Sequence, residues 1–355
     1  MAEQVRGGHG RGGQGRVVLV TGASAGIGRA CADRLAAAGW AVTGASRRGT
    51  SSGRWAGLVM NVDDDEAVAA GVRGILAEHG RIDAVVTAAG WGIAGAVEHT
   101  TVAEAKAQVE TNFWGAVRTV QAVLGPMREQ GGGRIVLLSS IGGVLGIPFQ
   151  AFYSASKFAL EGLAEGLAYE VEPFGIRVTL VQPGNIATDF TASRQRAAAA
   201  AGDPVYAAAL ARAVGVMERD EANGAPADDV AAVVQRVLDA RRPPRRVSVG
   251  KPGERFGLVA RRFLPFRLFE AGAKGSLGVG LWTGPGRVRS RGWPTWSAHR
   301  ACASCCYQIG AAPERLGRPG PGAFKIATDL TAGSCGEPVT IVTICMPART
   351  HPESG

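Results

Sequence analysis

The chain has 355 residues, a formal net charge of +9 and 46% hydrophobic residues, a globular composition long enough for one large domain or two ordinary ones. No stretch approaches the roughly 18 apolar residues of a membrane-spanning helix. The opening MAEQVRGGHGRGGQGR lacks the apolar segment of a secretory signal, so a cytoplasmic location is expected. The charge is local: residues 241 to 300 hold fourteen Arg or Lys against two Glu, a surplus of twelve that leaves the remainder at minus three. With no zinc-finger spacing or RNA-binding signature beside it, no nucleic-acid partner is expected.

Residues 1–15 read as a flexible, Gly-rich arm. From residue 17, short β-rich runs alternate with helix-length segments, the pattern of a parallel sheet covered on both faces. Strands are predicted at 17–21, 40–45, 57–62, 83–89, 134–140, 176–182 and 245–250. Helices are predicted at 26–38, 64–79, 101–129, 151–172 and 226–240. The strands are apolar throughout rather than alternating, as burial on both faces requires. The expected fold is therefore α/β: a Rossmann-type, doubly wound, seven-stranded parallel sheet over 16–250.

The first strand runs into TGASAGIGR, with Gly22, Gly26 and Gly28 at the turn and the start of a helix. Glycines there let backbone N–H groups approach a pyrophosphate, which the positive end of the helix dipole favours. No Lys-Ser or Lys-Thr follows the last glycine, so the turn is not a P-loop. At the end of the second strand, where an NAD binder carries Asp or Glu for the ribose 2′-hydroxyl, stand Ser46, Arg47 and Arg48. Guanidinium groups bind a 2′-phosphate that a carboxylate would repel. The pattern favours NADP(H) over NAD(H), unless the arginines only solvate a loop.

In YSASK, Tyr153 and Lys157 lie four apart and so share one helix face. An ammonium near a phenol favours the phenolate and brings the tyrosine toward the range of proton exchange with a substrate; a chance surface pair is the alternative. Residues 185–225, alanine-rich and too long for a strand-to-helix connection, read as a helical lid over the carboxyl edge of the sheet. Val144, Leu145, Phe149 and Phe152 are expected to line an apolar pocket there, with no cation evident for a carboxylate or phosphate. Residues 251–280 form a basic amphipathic extension in which 255–275 mix Phe and Leu with Arg. That segment either touches an anionic membrane peripherally or packs over the substrate mouth or a subunit interface, and Pro265 interrupts any long helix. Residues 281–355 form a tail with no assignable fold. It holds five of the six cysteines, whose spacing matches no zinc motif well, and no metal is expected.

TGASAGIG (21–28), AAG (88–90), Asn112 in TNFWG, Ser140 in LLSSIGG, YSASK and PGNIAT (183–188) occur together in this order. The chain thereby resembles the short-chain dehydrogenase/reductase family in its single-domain form, over about 17–250. GGVLGIPFQAFYSASKFALEGLAE is most similar to the branch containing 17β-hydroxysteroid and retinol dehydrogenases and their bacterial relatives.

The resemblance implies that Tyr153 is the acid/base, that Lys157 lowers its pKa and bonds the nicotinamide ribose, and that Ser140 holds the substrate oxygen. It further implies that Asn112 fixes a water leading to Lys157, and that Thr188 and the Ile186 backbone hold the carboxamide. The implied cofactor contacts are Gly22, Ser24, Ile27, Gly28, Ser46, Arg47, Arg48, Asn61, Val62, Ala89, Gly90, Tyr153, Lys157, Pro183, Gly184, Ile186 and Thr188. Two departures touch cofactor affinity: Thr87-Ala88-Ala89-Gly90 replaces the Asn-Asn-Ala-Gly common in the family, and Asn61 stands where Asp is usual.

The expected activity is NADPH-dependent reduction of a lipophilic ketone or aldehyde to the alcohol. The alternatives are NAD(P)-dependent oxidation of secondary alcohols or a non-catalytic dinucleotide-sensing regulator. The expected partners are a small lipophilic carbonyl or alcohol substrate and further copies of the chain, paired through the helices that carry Asn112 and Tyr153.

Overall fold

The structure is a computed structural model that describes residues 15–202, 204–276, 279, 328–332 and 338–342. The arm at 1–14, the five late cysteines and most of the tail lie outside the described residues. Two compact units are present, one within 1–288 and one within 289–355. In the second, Thr328–Ala332 pairs antiparallel with Pro338–Val342.

The first unit is built on seven parallel strands: β1 (Val17–Thr21), β2 (Ala41–Ser46), β3 (Ala56–Val59), β4 (Ala84–Thr87), β5 (Gly133–Leu138), β6 (Ile176–Pro183) and β7 (Arg246–Val249). Their spatial order is β7-β6-β5-β4-β1-β2-β3. Because side chains alternate along a strand, β1 feeds two cores. Val17 and Leu19 join Val85, Ile135 and Leu180 under α2 (Asp65–His79), α4 (Gly115–Glu129) and α5 (Ala151–Val171). Val18 and Val20 join Val86, Val136 and Val181 under α1 (Gly26–Ala37) and α7 (Ala227–Asp239). Both faces are dry at the centre of the sheet, where β1 and β4 are buried at every position, whereas β3 at one edge is largely exposed and β7 at the other begins with exposed Arg246.

Helix boundaries follow local chemistry. Asp64 accepts from the Ala67 amide at 2.9 Å to start α2, and Gly80, at φ 72°, ends it. Thr101 and Glu104 form a reciprocal capping box that starts α3 (Val102–Val109). The continuous helix expected over 101–129 is interrupted: Glu110–Trp114 form a π-helical turn between α3 and α4, and Asn112 lies in its middle.

The lid region comprises a short helical turn (Phe190–Ser193), a strand pairing Gln195–Arg196 with Ile93–Ala94, and helix α6 (Ala207–Ala222). A small cluster of Ile93, Ala94, Ala197, Leu210 and Val214 holds it down. Ala225–Pro226 pairs with Ile186–Ala187, so the end of the lid returns to the loop after β6. Beyond β7 come α8 (Pro252–Phe263) and α9 (Phe266–Ser276), parted at Pro265. Among the described residues, no helix is long and apolar enough to cross a membrane.

Candidate active site

A cavity of about 830 Å³ opens at the carboxyl ends of β1, β4, β5 and β6, roofed by the lid. Every residue expected to contact the cofactor lines it; Asn112 lies just behind its wall.

The phosphate turn is shaped for close backbone approach. Gly22 and Gly26 have φ of 68° and 54°, values that disfavour other residues. A Cβ on Gly22 would meet the Ala89 amide nitrogen at 2.7 Å, and one on Gly28 would meet the Gly22 oxygen at 2.3 Å. Thr21 Oγ1 accepts from the amides of Ala88 and Ala89 at 3.1 and 3.2 Å, tying the ends of β1 and β4 together where the family's usual second Asn is replaced. These features, with the helix N-terminus that follows, fit a dinucleotide pyrophosphate.

At the end of β2, buried Ser46 accepts from the Thr50 amide at 3.4 Å. Arg47 and Arg48 are exposed at the cavity rim, and Arg48 donates to Ser24 Oγ at 3.1 Å. Neither arginine pairs with a carboxylate among the described residues, so both have donors free for an anion. Asn61 turns its side chain to the Asp63 amide at 3.3 Å. Val62 packs where a Cβ on Gly115 would come within 2.7 Å.

The reactive grouping forms where the end of β5 meets α5. Ser140 Oγ accepts from the Gly142 amide at 3.0 Å, and a Cβ on Gly142 would meet the Tyr153 ring at 3.3 Å and Ser140 Oγ at 3.4 Å, so the two side chains stand side by side. Lys157, one turn on and buried, donates to the Leu138 carbonyl at 2.8 Å, and its nitrogen lies 5.9 Å from the Tyr153 ring centre. Asn112 is 1% exposed. It donates to the Trp91 carbonyl and Ser156 Oγ and accepts from the Trp91 amide, so the π turn clamps the loop after β4 to α5.

The sequence led us to expect that Lys157 would bring the phenol down. Here burial dominates and pushes Tyr153 above its ordinary range; the Ser140 hydroxyl and the Arg194 charge pull the other way, and Glu221 adds to the rise. Burial also brings Lys157 down to about 8. At neutral pH the grouping therefore presents a protonated phenol, a hydroxyl and an ammonium to one cavity, and that set can give a proton to a carbonyl oxygen.

The pocket wall differs from expectation. Ile141, Ile147, Trp91 and Phe190 supply its apolar surface, while Val144, Leu145, Phe149 and Phe152 are not part of it. Phe149 has a φ of 59° and turns toward the lid cluster and Tyr206. Phe190 stands over Tyr153 with ring centres 5.8 Å apart. Behind it Arg194, 3% exposed, pairs with Glu221, 14% exposed, and Glu221 also accepts from the Thr191 hydroxyl. Nothing in the sequence joins residues 194 and 221, since the pair exists only once α6 folds back.

A second residue was not evident from sequence. Glu254, in the first turn of α8, accepts from the Asn185 side chain at 2.8 Å and its amide at 3.3 Å, and from the Lys251 amide at 3.1 Å. It braces the loop that carries Pro183, Gly184 and Ile186. A Cβ on Gly184 would lie 2.0 Å from its carboxylate.

A phosphate turn feeding a Ser, Tyr and Lys grouping at the switch point of a parallel sheet defines a nicotinamide-dependent oxidoreductase of the Rossmann class. Residues 16–199 match the short chain dehydrogenase family. The chain is 39% identical over 258 residues to a 3-ketodihydrosphingosine reductase of Bacteroides thetaiotaomicron, covering 72% of this chain and 96% of that protein. It is 37% identical over 191 residues to estradiol 17-beta-dehydrogenase 1 of Rattus norvegicus, covering 49% of this chain and 55% of that one. The crystal structure of a short-chain dehydrogenase from Streptomyces avermitilis superposes with a TM-score of 0.63 at 33% identity, over 77% of this chain and all of that one. The chain belongs to the short-chain dehydrogenase/reductase family, whose members use a nicotinamide dinucleotide.

Proposed function

We propose that the chain reduces a lipophilic ketone or aldehyde to the alcohol with NADPH. The observation that carries this reading is the convergence of Ser140, Tyr153 and Lys157 on one cavity wall, where the Tyr153 ring and Ser140 Oγ lie 3.3 and 3.4 Å from the point a Cβ on Gly142 would occupy. Bound dinucleotide supplies the hydride. Ser140 and Tyr153 hold the carbonyl oxygen, and Tyr153 gives it a proton as charge develops there. Lys157, fixed by the Leu138 carbonyl, is placed to bond the nicotinamide ribose and return a proton to the phenol. Asn112 holds the loop after β4 against α5. The Bacteroides relative is named for a ketone of a sphingoid lipid and the rat relative for a steroid; an apolar wall of Trp91, Ile141, Ile147 and Phe190 suits substrates of that kind.

The preference for NADPH rests on Arg47 and Arg48, exposed at the rim without a carboxylate partner. The same groups serve alcohol oxidation, and burial that raises the phenol favours the proton-giving, reductive direction at neutral pH. A regulator that only senses a dinucleotide needs the phosphate turn alone, and the Ser140, Tyr153 and Lys157 grouping argues against it. We further propose a homo-oligomer joined through the helices carrying Asn112 and Tyr153, on which Val102, Trp114, Phe158 and Tyr169 are exposed.

The test is NADPH consumption across a panel of steroid, retinoid, aliphatic and aryl ketones. Turnover is expected with NADPH in preference to NADH. Tyr153→Phe should cut kcat/KM by about 10²- to 10⁴-fold while NADPH still quenches protein fluorescence. Full activity of that variant would refute the mechanism. NADPH binding without turnover of any ketone would point to the regulator.

A further inference from the structure

We propose that Trp55 is the positioning residue of the 2′-phosphate rim, so that the choice between the two nicotinamide dinucleotides depends on an indole anchored to α1 as well as on the arginines that meet the ligand. The inference rests on the reading of Arg47 and Arg48 as the 2′-phosphate site and names the residue that holds them in place.

Residues 47–55 join β2 to β3 and carry both arginines at the cavity rim. Within this stretch Trp55 alone is buried, at 5% exposure. Its ring lies over Gly44 of β2: a Cβ there would meet the ring at 2.3 and 2.7 Å and Ala23 Cβ at 2.9 Å. A glycine inside a strand marks such a close approach, and here it admits the indole to the apolar cluster that holds Ala23 of the phosphate turn. The indole N–H donates to Asp33 Oδ1 of α1 at 2.7 Å, and Asp33 Oδ2 stands 3.6 Å from Arg29 Nε. The anchor is thus attached to the helix that follows the phosphate turn.

The loop is folded tightly against this anchor. Trp55 and Ser52 exchange two amide-to-carbonyl hydrogen bonds at 3.2 and 3.3 Å, and the Gly49 amide donates to the Ser46 carbonyl at 3.1 Å. A Cβ on Gly57 would meet the carbonyl oxygens of Gly49 and Thr50 at 2.4 and 2.6 Å. The backbone that bears Arg47 and Arg48 is therefore held at both ends, by Ser46 at the close of β2 and by Trp55 just before β3. One nucleotide presents its pyrophosphate and its 2′-phosphate together, so the spacing between the phosphate turn and the rim decides how well the two guanidinium groups serve. A loop ordered in advance avoids the entropy that a loose one loses on binding. NADH carries no 2′-phosphate and does not draw on this spacing. Loss of the anchor therefore falls on NADPH.

The experiment titrates the full chain with NADPH and with NADH, follows nucleotide fluorescence and takes the ratio of the two Kd values, which requires no carbonyl substrate. Wild type should bind NADPH about tenfold or more tightly than NADH. Trp55→Phe keeps the ring and removes the donor, and should cut that preference by about 3- to 10-fold. Asp33→Ala removes the acceptor and should do the same, with the double variant no worse than either alone. Asp33→Asn keeps an acceptor oxygen and should retain most of the preference. The Asp33 side chain is 41% exposed, so its variants carry the test should Trp55→Phe fail to fold. A tryptophan that only fills the core would weaken both nucleotides alike and leave the ratio intact. A ratio unmoved by these variants would overturn the inference and leave the NADPH preference standing. A wild type that binds the two equally, or NADH better, would sink both.

Discussion

Lys157 carries its charge into a site where it is only 7% exposed. Burial brings it from 10.5 down to about 8, so its ammonium form costs stability in the folded chain. Below pH 8 the folded and unfolded states both hold the proton and the cost is present in full. Between about 8 and 10.5 the folded state sheds the proton first, and stability rises relative to a chain without the lysine. Wild type should therefore gain about 3 kcal/mol over Lys157→Met between pH 7 and 10.5, read from urea unfolding at stepped pH. A difference that stays flat across that range would mean the amine is not buried as described. The group stays despite its cost because it stands one turn from Tyr153, where a lysine of ordinary pKa would require a wetter site and a weaker phenol–carbonyl contact.

Among elements, α8 has the least expected part. Its first-turn Glu254 reaches the loop after β6, so a segment beyond the last strand sets the geometry of Pro183, Gly184 and Ile186 on the cavity wall. Replacing Glu254 with Ala removes acceptors for both Asn185 groups and for the Lys251 amide. It should cost about 2 kcal/mol and raise the KM for NADPH several-fold while leaving the rate at saturation nearly unchanged. A fall in kcat with KM unmoved would show that the brace serves chemistry instead.

The strands were legible because the central ones, buried on both faces, are short runs rich in Val, Ile and Leu, and each observed strand ends within three residues of its predicted bounds. Tyr153, Ser140 and the glycine turn were legible because they sit in short runs whose spacing carries their geometry. The π turn was not, since TNFW has no local signature for an extra residue in a helical turn. Phe149 was misplaced because its backbone conformation, not its side chain, decides where it points. Arg194, Glu221 and Glu254 were missed for a different reason: each acts through a partner far away in the chain.

For the whole molecule, the basic stretch acquires a place. On α8, α9 and the joint between them, Phe256, Phe263, Leu264 and Leu268 are exposed, at 71%, 76%, 45% and 63%, among exposed Arg255, Arg261, Arg267 and Lys274. We propose that this surface rests on anionic lipid, from which an apolar substrate would enter. The protein should co-sediment with vesicles containing phosphatidylserine and not with neutral ones. Replacing Phe256 and Phe263 with Ser should release it; indifference to lipid charge would dispose of the idea.

The strand order places β1 and β4 side by side with their following connections departing in opposite directions. The phosphate turn and the Arg47 and Arg48 rim of the cavity come from the first ninety residues, and Ser140, Tyr153 and Lys157 come from residue 138 onward. The two specificities are thus inherited on separate stretches of chain. Currency and merchandise can drift independently: a lineage could exchange one nicotinamide coenzyme for the other by altering the hairpin past β2, without renegotiating what it converts.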